Sequence, residues 1–292
     1  MPNPSSVDPS ELQAFPDSLA AVPPSAAVQT IDLTKQYEDL VAVNQLSFSA
    51  GIGSIFGLLG PNGAGKSTLI KMLTTLLPPS SGTALIAGFD VVKQPRHVRR
   101  RIGYVSQMLS ADGELTGYEN LLISAKLYGI ARSERAQRIA QALEFMDLSH
   151  AARKPVRHYS GGMIRRLEIA QSMLHRPAVL FLDEPTVGLD PVAKRAVWAR
   201  IQALRGEFDT TIFMTTHDMG EANRLCDVVA FMHSGKILAQ DSPANLKAQL
   251  GPDATLGDVF IHYAGASIAE PAAEEGDWKN VSSTRRSARR LG

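Results

Sequence analysis

Nine consecutive residues, Gly60-Pro61-Asn62-Gly63-Ala64-Gly65-Lys66-Ser67-Thr68, fit the pattern G-x-x-x-x-G-K-[ST]. The chemistry they could do is capture of a nucleotide's phosphates. Backbone N–H groups of such a loop, with the N-terminus of the helix it feeds, make a positive nest for an anion. Lys66 can reach the β- and γ-phosphates, and the Ser67 hydroxyl can ligate Mg²⁺. Downstream, Val179-Leu-Phe-Leu182 runs into two carboxylates, Asp183 and Glu184. At a strand end beside the phosphate loop, Asp183 can hold Mg²⁺ directly or through water. Glu184 then falls close to the γ-phosphate, where a carboxylate can orient an in-line water and accept its proton. A plain glycine-rich turn and a solvated acidic strand end are the bland alternatives, and each loses weight because the other motif is present.

These residues need elements to hold them. Gly51–Leu59 reads as a short apolar strand entering the phosphate loop, and Thr68–Leu76 as the helix leaving it. Val28–Leu33 and Leu46–Ala50 read as strands, Pro78–Gly82 as a turn, Thr83–Gly88 and Arg101–Ser106 as strands. Composition then turns helical. One helix spans Glu119–Tyr128; in the next, Ile139, Leu143 and Met146 make an apolar stripe at helical spacing, a packing face. A third helix runs from Gly161 to about His175. Ala178–Leu182 suits a strand buried on both faces, Thr211–Thr216 and Val228–Met232 are further strands, and Met219–Leu225 is a helix between them. The order predicts a nucleotide-binding α/β core, 28–107 and 176–262, interrupted by a helical subdomain at 108–175. Residues 1–27, rich in Pro, Ser and Ala, are expected to be a disordered extension, and 263–292 a flexible tail ending in basic Arg285–Arg290, read as solvated.

Bulk properties narrow the classes. The 292 residues carry 30 basic and 29 acidic side chains, net +1, which gives no argument for a nucleic-acid partner. A single cysteine, Cys226, excludes an internal disulfide and a multi-cysteine metal site; its apolar segment marks it as a small buried hydrophobe. The first twenty residues hold three acids and no Lys or Arg, so no secretion leader is expected. The charge-free span Leu40–Gly65 is broken by polar residues and glycines and is no membrane helix. A soluble chain is expected, with any membrane role through a partner. The Asn-Lys-x-Asp sequence of GTP-specific switches is absent.

With these motifs in place, the chain resembles the ATP-binding subunit of an ABC transporter, over roughly 28–262. Tyr159-Ser160-Gly161-Gly162-Met163 is similar to the family signature and begins 24 residues before Asp183. Gln107 follows Gly103-Tyr-Val-Ser like the family's Q-loop glutamine, Glu184-Pro-Thr-Val-Gly-Leu-Asp190-Pro matches the region into the D-loop, and Thr215-Thr-His217-Asp218 matches the switch histidine. The resemblance implies the ABC ATPase fold: a P-loop NTPase core with mixed sheet and inserted helical subdomain. It further implies ATP and Mg²⁺ as ligands. Tyr37 would stack on adenine. Ser160, Gly161 and Gly162 would bind the γ-phosphate held by a second ATP-binding subunit, in a homodimer, and Ser160 as a helix cap suits that physically. His217 would contact the γ-phosphate of its own subunit, Asp190 would lie across the interface, and Gln107 would sense Mg²⁺ and water. Tyr159 and Met163 depart from the usual Leu and Gln, while the Ser-Gly-Gly centre is intact. The Tyr-Ser-Gly-Gly-Met form, Arg165-Arg166-Leu-Glu-Ile-Ala, and Ala254–Phe260 resemble the daunorubicin-type, ABC-2 exporter branch. That implies a bacterial protein on the cytoplasmic face of the membrane, bound to a polytopic ABC-2 type permease and driving export of a hydrophobic drug, antibiotic, lipid or glycan. Leu109, Leu115 and Tyr118 are expected on the docking surface. The alternatives are a soluble ABC ATPase of nucleic-acid repair or translation, against which one domain and a short insertion argue, and a non-enzymatic regulatory subunit, against which intact Lys66, Asp183, Glu184 and His217 argue.

Overall fold

The computed structural model describes residues 26–269. The first stretch gives β1 (Val28–Tyr37), β2 (Leu40–Leu46), β3 (Ser49–Ala50), β4 (Ile55–Leu59), α1 (Lys66–Leu73), β5 (Ser81–Ile86), β6 (Phe89–Asp90), α2 (Pro95–Arg101) and β7 (Ile102–Val105). Three helices follow: α3 (Gly117–Leu127), α4 (Arg132–Phe145) and α5 (Gly161–Met173). The chain then returns through β8 (Val179–Asp183), α6 (Pro191–Phe208), β9 (Thr211–Thr216), α7 (Met219–Leu225), β10 (Val228–His233), β11 (Lys236–Asp241), α8 (Pro243–Ala248) and α9 (Leu256–Ala269).

Two sheets result. One is mixed, in the order β11-β10-β4-β9-β8-β7, parallel except for β11 at its edge. The other is antiparallel, β2-β1-β5-β6 with β3 also on β1. Period-2 alternation divides the mixed sheet between two cores. Phe56, Leu58, Phe181, Phe213, Ala230 and Met232 face a core shared with the antiparallel sheet and with Leu69, Ile70, Met72 and Leu73 of α1. Ile55, Leu59, Leu180, Leu182, Ile212, Met214 and Phe231 face the other, with residues of α3 to α7 and α9. Strands buried on both faces read as unbroken apolar runs, which is why β4, β8, β9 and β10 lie where the sequence predicts them.

Helices α2, α6 and α8 carry no expectation from sequence; among the strands, the differences fall at edges. The strand expected at Leu46–Ala50 is two strands, because Leu46 closes the β1–β2 hairpin while Ser49–Ala50 pairs with the start of β1. β1 itself continues four residues past Leu33, with register shifts against β2 after Leu33 and against β5 between Ile31 and Thr34, where Asp32 takes φ 45°. The boundaries at 27 and 262 also move. Ala27 is buried and hydrogen-bonds Ala50 and Ala87. α9 runs on because Val259, Phe260 and Tyr263 pack on the core and Tyr263 Oη donates to Gln249. The remainder of the expected extension and tail, including Arg285–Arg290, lies outside the described residues. Among the described residues no helix is long and apolar enough to cross a membrane. Cys226 is buried; burial first, then the charges of Glu221 and Asp227, push its thiol up.

Candidate functional site

Parallel strands explain why distant sequence motifs meet. β4, β7, β8 and β9 run the same way, in a register that sets Leu59 beside Thr216, Asp183 beside Thr215 and Val105 beside Leu182. The loops after their carboxyl ends therefore emerge along one edge: Gly60–Gly65 after β4, Gln107 after β7, Glu184 after β8 and His217 after β9. Such an edge is where open α/β sheets bind ligands. The cleft there has a volume of about 510 Å³, within the range of small-molecule sites. Tyr37, Leu40, Val41 and Ala42 of the β1–β2 hairpin line one side; Asn62, Gly63, Gly65, Lys66, Ser67 and Thr68 line the floor; Gln107, Glu184, Ser234 and Gly235 complete it.

The phosphate loop has the shape of an anion cradle. Gly65 caps α1 with φ 106° and no side-chain hydrogen bond, so the first N–H groups of the helix have no capping side chain. A Cβ on Gly65 would come within 2.3 Å of the Ala42 carbonyl, and one on Gly60 within 2.1 Å of the Met232 carbonyl. Only glycine lets the loop sit so close to both neighbours. Gly60, Pro61 and Ala64 do not line the cleft: Ala64 is buried, and the carbonyls of Gly60 and Pro61 accept from Lys66 Nζ at 2.7 and 3.1 Å.

Lys66 Nζ also lies 3.6 Å from Glu184 Oε1, both side chains being nearly inaccessible. The other Glu184 oxygen is approached by Gln107 Nε2 at 3.4 Å and by His217 Nδ1 at 3.2 Å. Glu184 thus has on it three of the side chains read from separate motifs. Its backbone adopts φ 47°, costly for a non-glycine residue and common at sites where other contacts over-determine the geometry. Here Thr215 supplies them. Glu184 N donates to Thr215 O at 3.2 Å and to Oγ1 at 3.1 Å, while Thr215 Oγ1 donates to Asp183 Oδ1 at 2.6 Å. Asp183 lies behind the cleft, 4 % exposed. Burial, then the charge of Asp183, push the Tyr104 phenol up to about 12, so it stays neutral beside that carboxylate. Among the described residues no group of three His, Cys, Asp or Glu could hold a metal alone. One buried carboxylate and one exposed hydroxyl, Ser67, instead suit an Mg²⁺ that takes its remaining ligands from phosphate and water.

Ser160, Gly161, Gly162 and Asp190 are not brought into this cleft. Ser160 caps α5 by accepting from Met163 N at 3.3 Å, and Asp190 caps α6 by accepting from Val192 N and Ala193 N. The two helix starts touch, since a Cβ on Gly162 would meet Ala193 Cβ at 2.8 Å and one on Gly161 would meet Leu189 at 3.2 Å. Together they form a second polar surface on which Ser160, Gly161 and Asp190 are exposed.

Several residues without a role from sequence hold these loops. Glu221, 1 % exposed, accepts on one oxygen from Thr186 Oγ1 and Trp198 Nε1, both at 2.7 Å, tying the Glu184–Asp190 loop to α6 and α7. Lys194 pairs with Asp218 at 3.1 Å. Burial raises the Asp218 carboxyl, but N–H donation from Glu221 and Gly220 and the charge of Lys194 outweigh it and hold it below its usual range. Arg165 and Glu168 of α5, both buried, reach the loop that carries Gln107. Their one sequence signal is charge at i, i+3 on a helix face that is otherwise apolar.

The expected docking residues need correction. Leu115 and Tyr118 are partly buried, Tyr118 against the helical core, because the Thr116–Glu119 capping box and the bridge between Thr116 and Pro155 fold that segment inward. The exposed apolar side chains nearby are Met108 and Leu127, each 81 % exposed, with Leu109 and Ile123.

The ABC transporter family profile matches residues 43–187. The daunorubicin/doxorubicin resistance ATP-binding protein DrrA of Streptomyces peucetius is 42 % identical over 228 residues, covering 78 % of this chain and 69 % of the relative. The Nod factor export ATP-binding protein I of Burkholderia orbicola is 42 % identical over 231 residues, covering 78 % and 75 %. Among solved structures, an ATP binding subunit of an ABC transporter superposes with a TM-score of 0.73 at 28 % identity, over 82 % of this chain and 100 % of that one. The cbiO1 structure from Clostridium perfringens, described as part of the ABC transporter complex cbiONQ, gives 0.71 at 28 % identity, over 78 % and 92 %.

Proposed function

Since the chain belongs to the ABC transporter family as an ATP-binding, ATP-hydrolysing subunit, we propose that it powers a bacterial exporter from the cytoplasmic face of the membrane, as one of two copies bound to a polytopic ABC-2 type permease. The cargo class is a hydrophobic drug, antibiotic, lipid or glycan. The names of the relatives, a drug-resistance ATP-binding protein and a Nod factor export ATP-binding protein, support that direction and class. The observation that carries the catalytic assignment is the convergence of Lys66, Gln107 and His217 on one buried carboxylate, Glu184.

In this reading the phosphates of ATP lie on the N–H groups from Asn62 to Thr68, and Lys66 turns its ammonium to the β- and γ-oxygens. Tyr37, 44 % exposed at the mouth of the cleft, offers a ring face to adenine. Ser67 and Asp183, with Gln107, would hold Mg²⁺, which would supply positive charge against the phosphates. Glu184 orients water in line with the γ-phosphorus and takes its proton as the new P–O bond forms. The bond to the bridging oxygen breaks, leaving ADP and phosphate. His217 donates toward the γ-phosphate. Ser160, Gly161 and Asp190 are exposed and, with the buried Gly162 behind them, serve the γ-phosphate of the second copy. Met108, Leu109, Ile123 and Leu127 form the apolar surface that the permease covers.

The test is purification with the native membrane partner. Cargo should stimulate ATP hydrolysis, and cysteines at positions 109 and 127 should crosslink to a cytoplasmic segment of the permease. Lys66→Ala should keep the fold and lose hydrolysis by about 10²-fold or more. Normal turnover by folded K66A would remove the catalytic reading. Full transport by a Leu109→Asp, Leu127→Asp variant would move the docking surface elsewhere.

A further inference from the structure

α5 begins at Ser160, on the surface that faces away from the chain's own cleft, and one and a half turns later it presents Arg165 to the loop that enters that cleft. Arg165 is 2 % exposed and Glu168 is 4 % exposed. Two nitrogens of the Arg165 guanidinium donate to consecutive backbone carbonyls, Nη1 to Ser106 O at 2.6 Å and Nη2 to Gln107 O at 2.7 Å. Glu168 pairs with Arg165 at 3.1 Å and accepts from the backbone N–H and hydroxyl of Ser110. Both ends of the 106–110 loop are therefore fixed to one helix, and Gln107 Nε2 between them donates to Glu184 Oε2 at 3.4 Å.

Packing alone does not account for this arrangement. A buried ion pair gains little over apolar side chains of similar volume, because desolvation offsets attraction. Burial works against the Arg165 charge here, with Glu168 and Asp183 opposing it. What an ion pair adds is direction. A planar guanidinium can span two successive carbonyls, which neither a lysine nor a hydrocarbon can do.

We infer that Arg165, braced by Glu168, is a positioning residue for hydrolysis: it fixes the backbone of Gln107 so that the amide faces Glu184, and it makes that placement depend on the helix that starts at Ser160. Arg165 acts through Gln107 and touches no substrate. A displacement of α5 on phosphate binding at Ser160 is then passed to Gln107 through two hydrogen bonds. The inference rests on the reading of Gln107 and Glu184 above.

The experiment compares the full-length chain with Arg165→Lys, Gln107→Ala, the pair Arg165→Met with Glu168→Leu, and that pair combined with Gln107→Ala. ATP affinity and steady-state turnover are measured for each folded protein. The pair leaves no unpaired buried charge and should melt close to wild type. Its ATP affinity should stay within about threefold, since the phosphate loop is untouched, while kcat falls about tenfold or more. R165K, which keeps the charge pair and loses the planar fork, should show the same split in smaller size, and it carries the test if the pair fails to fold. Adding Q107A should bring no further loss, because both changes remove one function. If Q107A is slow while folded Arg165 variants keep wild-type kcat, the inference is overturned and the reading of Gln107 stands. Losses that multiply overturn it too, since Arg165 would then act apart from Gln107. If Q107A itself turns over normally, the reading of Gln107 falls and takes this inference with it.

Discussion

At the scale of residues, the chemistry-bearing groups were legible where short loops between regular elements force a sequence pattern. Gly60–Thr68 needs glycines for close approach at Gly60 and Gly65, and Asp183-Glu184 follows an unbroken apolar strand. The residues that hold those groups were not legible, because a hydroxyl or carboxylate acquires that task only from its neighbours in space. Thr215 had no role until β8 and β9 paired, when its hydroxyl proved to bridge Asp183 Oδ1 and Glu184 N. Thr215→Val keeps the shape and removes both contacts. Each lost hydrogen bond to a buried polar partner costs about 1–3 kcal/mol, and Glu184 loses support for its φ of 47°. The variant should be destabilised by about 2 kcal/mol or more in urea unfolding, with kcat falling further than ATP affinity. A T215V protein of wild-type stability and turnover would show that the bridge is incidental.

At the scale of elements, strands buried on both faces were read closely, and β9 and α7 have the predicted bounds. The edge strand β7 was read too, while β2 and β11 were not. β2 and β11 lie at sheet margins with mixed burial, so their side chains carry no strong alternation. α2, with four arginines in seven residues, has a single buried side chain, Val98, and so no apolar stripe to read. Junctions between elements give two predictions. Glu221 joins the Glu184–Asp190 loop to α6 and α7 through Thr186 and Trp198. Glu221→Leu strands the buried Thr186 hydroxyl and the partly buried Trp198 N–H and should cost about 1–3 kcal/mol; an unchanged unfolding midpoint would contradict that role. His175 follows α5, lies 2.9 Å from Ile102 O and stacks on Tyr128 at 3.8 Å. Burial holds its pKa below the usual 6.5, against a smaller opposing effect from Ile102 O. The unfolded chain therefore takes up a proton near pH 6.5 that the folded chain resists. This contribution to stability is intact above that pH and is lost as pH falls toward the folded pKa, by up to about 1.4 kcal/mol per pH unit. Replacing His175 with Phe should flatten the stability profile between about pH 7 and 5.5. An equally steep profile in the variant would assign the slope to another group.

At the scale of the whole molecule, two sheets share a core with α1; the loops after β4, β7, β8 and β10 line one cleft, and the loop after β9 brings His217 to Glu184 at its edge. Those loops arrange Lys66, Gln107 and His217 around Glu184, while Ser160, Gly161 and Asp190 stay exposed on another surface. The alternation of residues along the strands made the layers readable. The task of the exposed Ser160 surface was not readable from composition or periodicity, and it entered only through the family resemblance. The central claim is that hydrolysis occurs between two copies, the cleft of one closed by the signature helix of the other. Glu184→Gln keeps the side chain's shape and removes the charge that accepts the proton, so ATP should bind and remain uncleaved. Light scattering of E184Q at saturating ATP should give twice the chain mass with two nucleotides trapped, and the single chain mass with ADP. A protein that binds ATP fully and stays at the single chain mass at high concentration would contradict the account.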